Sequence, residues 1–404
     1  MISVADALAQ VLAGVEPLNG ERVGVANAFG RVLAGDVASR LTQPPRAVSA
    51  MDGYAVRAED VGKVPATLTR IGESAAGNGF DGSIAAGQTV RIFTGAPVPD
   101  GADAIVIQED TETDGDKITM TEAPTPGRYI RPAGLDFAEG DVLLAKGRRM
   151  TARDVSLAAA MNVPWLTVTR KPRIALLSTG DELVLPGEPV GPDQIISSNS
   201  IGLGSFIQAM GGEAVNLGIA RDDPDDLRRM LDGVRGADML VTIGGASVGD
   251  YDLVKTVLGG EGLDVTFSTV AMRPGKPLIF GAIHGKPMLG LPGNPVSAGV
   301  TSVLFLRPAI GVMLGLNDDE TPQETALLGR DVPANDHRQD YLRSTLGMSA
   351  GGELTATPFE KQDSSMLRLF ARSDCLVIRP PNAPPLAAGE RVDIVRLDWS
   401  NLSV

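Results

Sequence analysis

Pairs of acidic residues recur through the middle of this chain at spacings that chemistry can use. Asp181 and Glu182 follow the strand-like run Arg173–Ser178, Asp222 and Asp223 follow Ala214–Ala220, and Asp250 and Asp252 follow an apolar run that begins at Leu240. Carboxylates that converge can hold a divalent cation against an anionic ligand. In the third case Gly244-Gly245 separates the apolar run from the acids, and Leu253–Leu258 reads as a helix. Strand, glycine turn and helix together build a ligand crevice at the carboxyl edge of an open α/β sheet. Glycine lets the backbone come close to an anion, and amide N–H groups at a helix start favour negative charge. Taken alone, the stretch is equally a tight turn with two capping aspartates. Recurrence after three separate strands is what favours a site.

The elements that must position these acids are legible in the same region. A helix over about Ser200–Met210 is capped by Ser198 or Asn199 and closed by Gly211-Gly212, and Pro224 opens the next helix. Apolar runs at Leu278–Phe280 and Met288–Leu291 follow, and Pro292-Gly293-Asn294-Pro295 opens a helix to about Phe305. Strands and helices alternate, so a doubly wound parallel sheet covered by helices is expected. Upstream, Val4–Leu12 reads as an amphipathic docking helix. Prolines at Gln43-Pro44-Pro45 force extended backbone before the acidic turn at Met51-Asp52-Gly53. From Thr67 to Thr121 the pattern is all β (Thr67–Ile71, Thr89–Phe93, Ala104–Gln108, Lys117–Met120), a small inserted β-rich module. Within it Thr94-Gly95-Ala96-Pro97-Val98-Pro99 is a rigid loop presenting a hydroxyl, or simply a turn. Arg131–Asp136 forms a charged turn, Asp154–Met161 a short helix, and Pro172 a boundary. After Pro322 short strands imply a small barrel or sandwich.

Composition narrows the function. The 404 residues exceed one compact core, so two to four domains are expected. A net charge of -14 argues against a nucleic-acid polymer as partner, while leaving room for a small anion at a focused basic or metal-lined spot. The single cysteine, Cys375, excludes an intrachain disulfide and reads as core, and two separated histidines, His284 and His337, argue against a histidine zinc site. No apolar run reads as reaching membrane-spanning length, so no membrane partner and a cytoplasmic location are expected.

Together these stretches resemble the molybdopterin molybdenumtransferase family, which includes bacterial MoeA, the plant insertase domain and the gephyrin E domain. The resemblance rests on Ser49–Val56, Thr94–Pro99, Ser178-Thr179-Gly180-Asp181-Glu182-Leu183, Gly244–Asp252, Pro274-Gly275-Lys276-Pro277 and Gly290–Ser297, in the family's order. It implies insertion of molybdate into the dithiolene of adenylylated molybdopterin, with release of AMP, and a Mg2+ ion as divalent cation. It implies an elongated linking domain (1–46 and 128–171), an inserted β-rich domain (47–127), a central MogA-like α/β domain (172–318) and a C-terminal β-barrel (319–404).

Carried over by position, the catalytic set is Asp52, Thr94, Asp136, Glu182, Asp222 and Asp252, with Glu182, Asp222 and Asp252 as metal ligands. The substrate-binding set is Ser247, Gly249, Arg273, Lys276, Pro292, Asn294, Pro295, Arg343 and Ser364. The resemblance further implies a homodimer with shared active sites, and it allows a molybdopterin adenylyltransferase and molybdoenzyme maturation proteins as partners. Three positions depart from the family pattern. Arg273 stands where lysine is common, Leu135 replaces an acid beside Asp136, and Asp363 replaces a glycine before Ser364. The alternatives are the related adenylyltransferase, which lacks the flanking β modules, and a non-catalytic scaffold or carrier of the cofactor.

Overall fold

The structure is a computed structural model that describes residues 1–245, 259–260, 262–317 and 324–397. The chain forms two compact units: Met1–Gly35 with Lys146–Arg153 and Leu166–Val404, and Asp36–Ala145 with Asp154–Trp165.

In the first unit the N-terminal helix α1 (Val4–Ala13) is capped by Ser3, whose side chain accepts from Asp6 N. It buries Ala7 and Val11 in the main core. That core is built around a six-stranded sheet. Its strands are β1 (Arg173–Thr179), β2 (Glu213–Ala220), β3 (Met239–Ile243), β4 (Asp264–Thr269), β6 (Pro277–Ile283) and β7 (Lys286–Leu291), in the order β2-β1-β3-β7-β6-β4. A further two-residue strand, β5 (Met272–Arg273), belongs to another sheet.

Period-two alternation explains the double winding. Ile174 and Leu176 enter one core with α1, α2 (Asn199–Ala209) and α4 (Pro295–Leu314). Ala175 and Leu177 enter a second core on the opposite face, with Leu227 and Leu231 of α3 (Pro224–Leu231).

Three expectations are corrected. The sheet is mixed: β1, β2, β3 and β7 are parallel, but β6 runs antiparallel to β7, and β4 antiparallel to β6. The cause is local. His284 (φ 49) and Gly285 (φ 73) make a two-residue turn with both central residues left-handed, which closes a hairpin and leaves no room for a crossover helix. Second, the helix opened by Pro295 runs on to Leu314, passing through a π-helical turn at Ser302–Leu306 before Pro308. Pro308 lacks an N–H, and the wider turn absorbs the missing bond. At 20 residues and mean hydropathy 1.6, this helix is long and apolar enough to span a membrane, contrary to the expectation from the apolar runs; 89% of it is buried inside the fold. Third, Ser198 occupies the cap position of α2 in a helical conformation and makes no capping hydrogen bond.

Beyond α4 the unit closes a barrel from β8 (Glu324–Leu328), β9 (Gln339–Met348), β10 (Leu354–Pro358), β11 (Cys375–Arg379) and β12 (Arg391–Arg396). Ladders run β9-β10-β8-β12-β11 and return to β9. Cys375 is buried within it, as the sequence suggested. Strand β5 adds to β9 in parallel, pairing Met272 with Gln339 and Arg273 with Asp340.

The second unit carries its own six-stranded sheet, in the order Ala104–Ile107, Gly53–Val56, Gln88–Ile92, Ala66–Ser74, Lys117–Met120 and Thr111–Asp114. Apolar clusters cover both faces, one around Tyr54, Val56 and Ile118, the other around Ala55, Val90 and Ile105.

Candidate active site

A cleft of about 920 Å3 opens at the carboxyl edge of the parallel strands in the first unit. Glu182, Arg273, Lys276, Pro292, Asn294, Pro295 and Ser364 all line it, so seven of the residues expected at the site meet in one cavity. The loop after β1 delivers Glu182. Its carboxylate folds back over Gly180, where a Cβ would stand only 2.2 Å from Glu182 Oε2. At the same edge Asp222 N donates to Asp181 Oδ1 at 3.2 Å, tying the ends of β1 and β2 together. Asp222 itself lies outside the cleft lining, and Asp223 is the cap of α3, accepting from Asp225 N at 3.0 Å and Asp226 N at 2.9 Å.

The strand β3 ends on Gly244, whose φ of +90 admits glycine most readily. A Cβ there would lie 2.8 Å from the carbonyl oxygen of Thr179, so this turn packs directly on the end of β1. Gly244 N donates to Leu291 O at 3.1 Å, which joins it to the turn before α4. That turn is held from two sides. Asn199 Nδ2 donates to Gly293 O at 2.7 Å, and Asn294 Nδ2 donates to Ser364 Oγ at 3.1 Å.

Ser364 comes from the barrel. Its carbonyl accepts from Val296 N at 3.1 Å, in the first turn of α4. Asp363, the departure from the family pattern, turns its carboxylate to Ser365, accepting from Ser365 Oγ at 2.6 Å and Ser365 N at 2.8 Å. Those donors, the hydroxyl first, hold the Asp363 carboxyl below its usual range. Arg343 lies behind this loop at 2% exposure and donates to Asp363 O at 3.1 Å. Burial pushes its guanidinium down to about 10, opposed by Asp363. It lines a neighbouring cavity of about 340 Å3, not the cleft. Its backbone is fastened by Gln362, which accepts from Arg343 N and donates to Arg343 O, both at 3.0 Å.

The cationic side of the cleft is Arg273, Lys276 and Arg338. Arg273 pairs with buried Asp340 and lies 4.0 Å from Asp336. Arg338 is held by Asp336, with Nη2 2.6 Å from Oδ2. Among the described residues the Lys276 ammonium has no hydrogen-bond or ion-pair partner, which leaves it available to an anion.

In the second unit Asp52 Oδ1 accepts from Thr94 N at 2.7 Å and from Thr94 Oγ1 at 2.8 Å. These two bonds, the backbone one first, hold the Asp52 carboxyl below its ordinary value. The loop that presents Thr94 therefore serves to fix Asp52 as a carboxylate. Asp136 is exposed and lines a separate cleft of about 590 Å3 with Arg46, Gly95 and Arg131. Ser247, Gly249 and Asp252 lie outside the described residues, as does the helix expected over Leu253–Leu258. Among the described residues no group of three His, Cys, Asp or Glu side chains is placed to hold a metal ion.

The sequence reading did not single out Asn199, Arg338 or Gln362 as site residues. Asn199 carried a signal, since a side chain weighed only as a cap could also turn outward. Arg338 and Gln362 reach the cleft from the barrel, and no local pattern marks them.

Three family models match the chain: "MoeA N-terminal region (domain I and II)" over residues 2–162, "Probable molybdopterin binding domain" over 175–311, and "MoeA C-terminal region (domain IV)" over 325–397. The chain is 36% identical over 397 residues to molybdopterin molybdenumtransferase 2 of Mycobacterium tuberculosis, covering 96% of each chain. It is 33% identical over 381 residues to the molybdopterin molybdenumtransferase of Haemophilus influenzae, covering 94% of each. Among solved structures, the molybdopterin biosynthesis MoeA protein of Pyrococcus horikosii superposes with a TM-score of 0.86 at 32% identity, covering 98% of this chain and 99% of that one.

Proposed function

Since this chain belongs to the MoeA family of molybdopterin molybdenumtransferases, transferases of molybdenum cofactor biosynthesis, we propose that its cleft inserts molybdate into adenylylated molybdopterin and releases AMP. The observation that carries this reading is the convergence of Glu182 with Arg273, unpartnered Lys276 and the Pro292-Gly293-Asn294-Pro295 turn in one cavity. A pyrophosphate-linked substrate and molybdate are both anions. Lys276 offers a point charge and Arg273 a planar fork to such oxygens.

The acids fit a divalent cation by their chemistry. Mg2+ usually takes only one or two carboxylates, with waters and substrate phosphates completing its shell. Glu182 and Asp222, on adjacent strand ends, and Asp252, outside the described residues, are the candidates for those one or two places. When bound, the ion would neutralise phosphate charge and make phosphorus more electrophilic. The chain's own residues do the positioning. Asn294 and Ser364 fix the turn before α4, Lys276 and Arg273 orient the anions, and Asp52, held ionised by Thr94, offers a carboxylate to water or cation. The reading includes a homodimer in which Asp52 of one chain completes the cleft of the other, and a cytoplasmic setting.

The test is an incubation of the full chain with adenylylated molybdopterin, Mg2+ and molybdate, followed by chromatography for AMP. Wild type should release AMP in a molybdate-dependent way. Asp222→Ala should lose about a hundredfold or more while remaining folded by circular dichroism. Failure of the wild type to release AMP, or full activity of Asp222→Ala, overturns the reading.

A further inference from the structure

Among the described residues, three hydroxyls near the carboxyl edge of the central sheet have no hydrogen-bond partner: Ser178 Oγ, Thr179 Oγ1 and Thr242 Oγ1. Folded proteins pair nearly all buried polar atoms, so each exception calls for a cause. Thr242 faces sheet interior, 3.2 Å from where a Cβ on Gly290 would stand. The other two differ. Ser178 is 1% exposed and Thr179 5% exposed, yet both line the cleft beside Gly244, Lys276 and Gly293. Thr179 Oγ1 lies 3.3 Å from the point a Gly244 Cβ would occupy, so Gly244 itself brings no side chain over it. Buried hydroxyls left without acceptors, in a cavity that also holds an unpartnered lysine, call for a ligand rich in acceptor oxygens and negative charge.

We propose that Ser178 and Thr179, which face opposite sides of β1 at its carboxyl end, each donate a hydrogen bond to an oxyanion oxygen of substrate bound across that strand end. The inference rests on the reading of this cleft as the substrate site. Two such oxyanions take part in the proposed reaction, the phosphate of the nucleotide half and molybdate, and the shared chemistry is a tetrahedral centre presenting charged oxygens.

Thr179→Val keeps the shape of the side chain and removes only the hydroxyl, and Ser178→Ala does the same at its neighbour. Titration calorimetry on the full-length chain, with AMP alone and with molybdate alone, reads the effect. Each variant should bind its anion about tenfold or more weakly, as expected for one bond to a charged group. Thr179→Ser, which keeps the donor, should retain wild-type affinity. Melting temperature should stay level or rise, because an unpaired buried hydroxyl has been removed. Loss confined to AMP assigns the strand end to phosphate, loss confined to molybdate assigns it to molybdate, and either supports the proposal. Affinities unchanged for both ions overturn it. Should Thr179→Val fail to fold, Ser178→Ala and Thr179→Ser decide alone. Normal AMP release by wild type with unchanged variants sinks this inference only; a wild type that neither binds nor turns over sinks the functional reading as well.

Discussion

Gly244→Ala should damage the enzyme for a reason that can be isolated. The substitution carries two costs: a side chain at φ +90, and a Cβ 2.8 Å from the backbone oxygen of Thr179, which cannot rotate away. Gly262 offers the control, because its φ is +89 and, among the described residues, nothing lies within 4 Å of its Cβ position. Gly262→Ala should therefore cost only the conformational part, about 1–2 kcal/mol. Gly244→Ala should add an overpacking cost of about 1–3 kcal/mol, for a total of roughly 2–5 kcal/mol. Urea denaturation of the two variants beside wild type gives the difference directly. The same shift of the turn away from Thr179 should lower kcat/KM for AMP release at least tenfold in Gly244→Ala and leave Gly262→Ala near wild type. Equal destabilisation of the two variants, or a fully active Gly244→Ala, would refute the claim that close approach of backbones shapes this edge.

Thr94→Val removes one of two donors to Asp52, so the Asp52 carboxyl should move up toward its ordinary value, visible in a carbon-13 NMR titration. Because the folded value is depressed, the stabilisation is present above the unfolded value of 3.8 and is lost as pH falls through the folded one; the variant should lose part of it. An unmoved titration would show that the backbone bond alone suffices. Asn294→Ala frees Ser364 from the turn before α4 and should raise KM for molybdate about tenfold, as for one lost polar contact at a charged ligand, with melting unchanged; an unaltered KM would make the contact merely structural. Inactive Asp52→Ala and inactive Asp222→Ala chains, mixed and allowed to exchange, should regain activity, since a shared-site dimer then contains one site without lesions. Silence after verified exchange would exclude sharing.

The alternation of apolar residues announced β1, β2, β3 and their double winding because Ile174-Ala175-Leu176-Leu177 is apolar on both faces, as a strand with helices on each side must be. The Asp223 cap and Pro224 start were equally plain. What sequence reasoning missed has two sources, one local turn and packing across long separations. The direction of β6 was set by two residues, His284 and Gly285, whose backbone conformation is not written in hydrophobic pattern. The convergence of Glu182 and Asn294 was legible because strand ends share an edge; Lys276, at the start of β6, reaches that edge because β6 runs antiparallel, and it was expected from the family resemblance. The contribution of Ser364 was legible only from the family resemblance, and those of Arg338 and Gln362 not at all, because the barrel's docking on the cleft follows from tertiary packing. Arg343, expected among the substrate-binding residues, is buried behind the Asp363–Ser364 loop and lines the neighbouring cavity.

The strand pairing of Met272 and Arg273 with Gln339 and Asp340 bears on how this protein can be divided or recombined. A short peptide between two strands of the α/β sheet is stitched into the edge of the barrel, and Arg273 stands in that seam with its side chain on the cleft. The barrel is therefore not an appendage hung on a linker after α4. A chimaera that exchanges the barrel of one relative for another must carry a matching Met272–Arg273 segment, although it lies more than fifty positions upstream of the first barrel strand. Under the proposed function, selection on substrate anions at Arg273 and selection on barrel packing at Asp340 act on one ion pair. Inheritance of the two parts as a single block is the expected result.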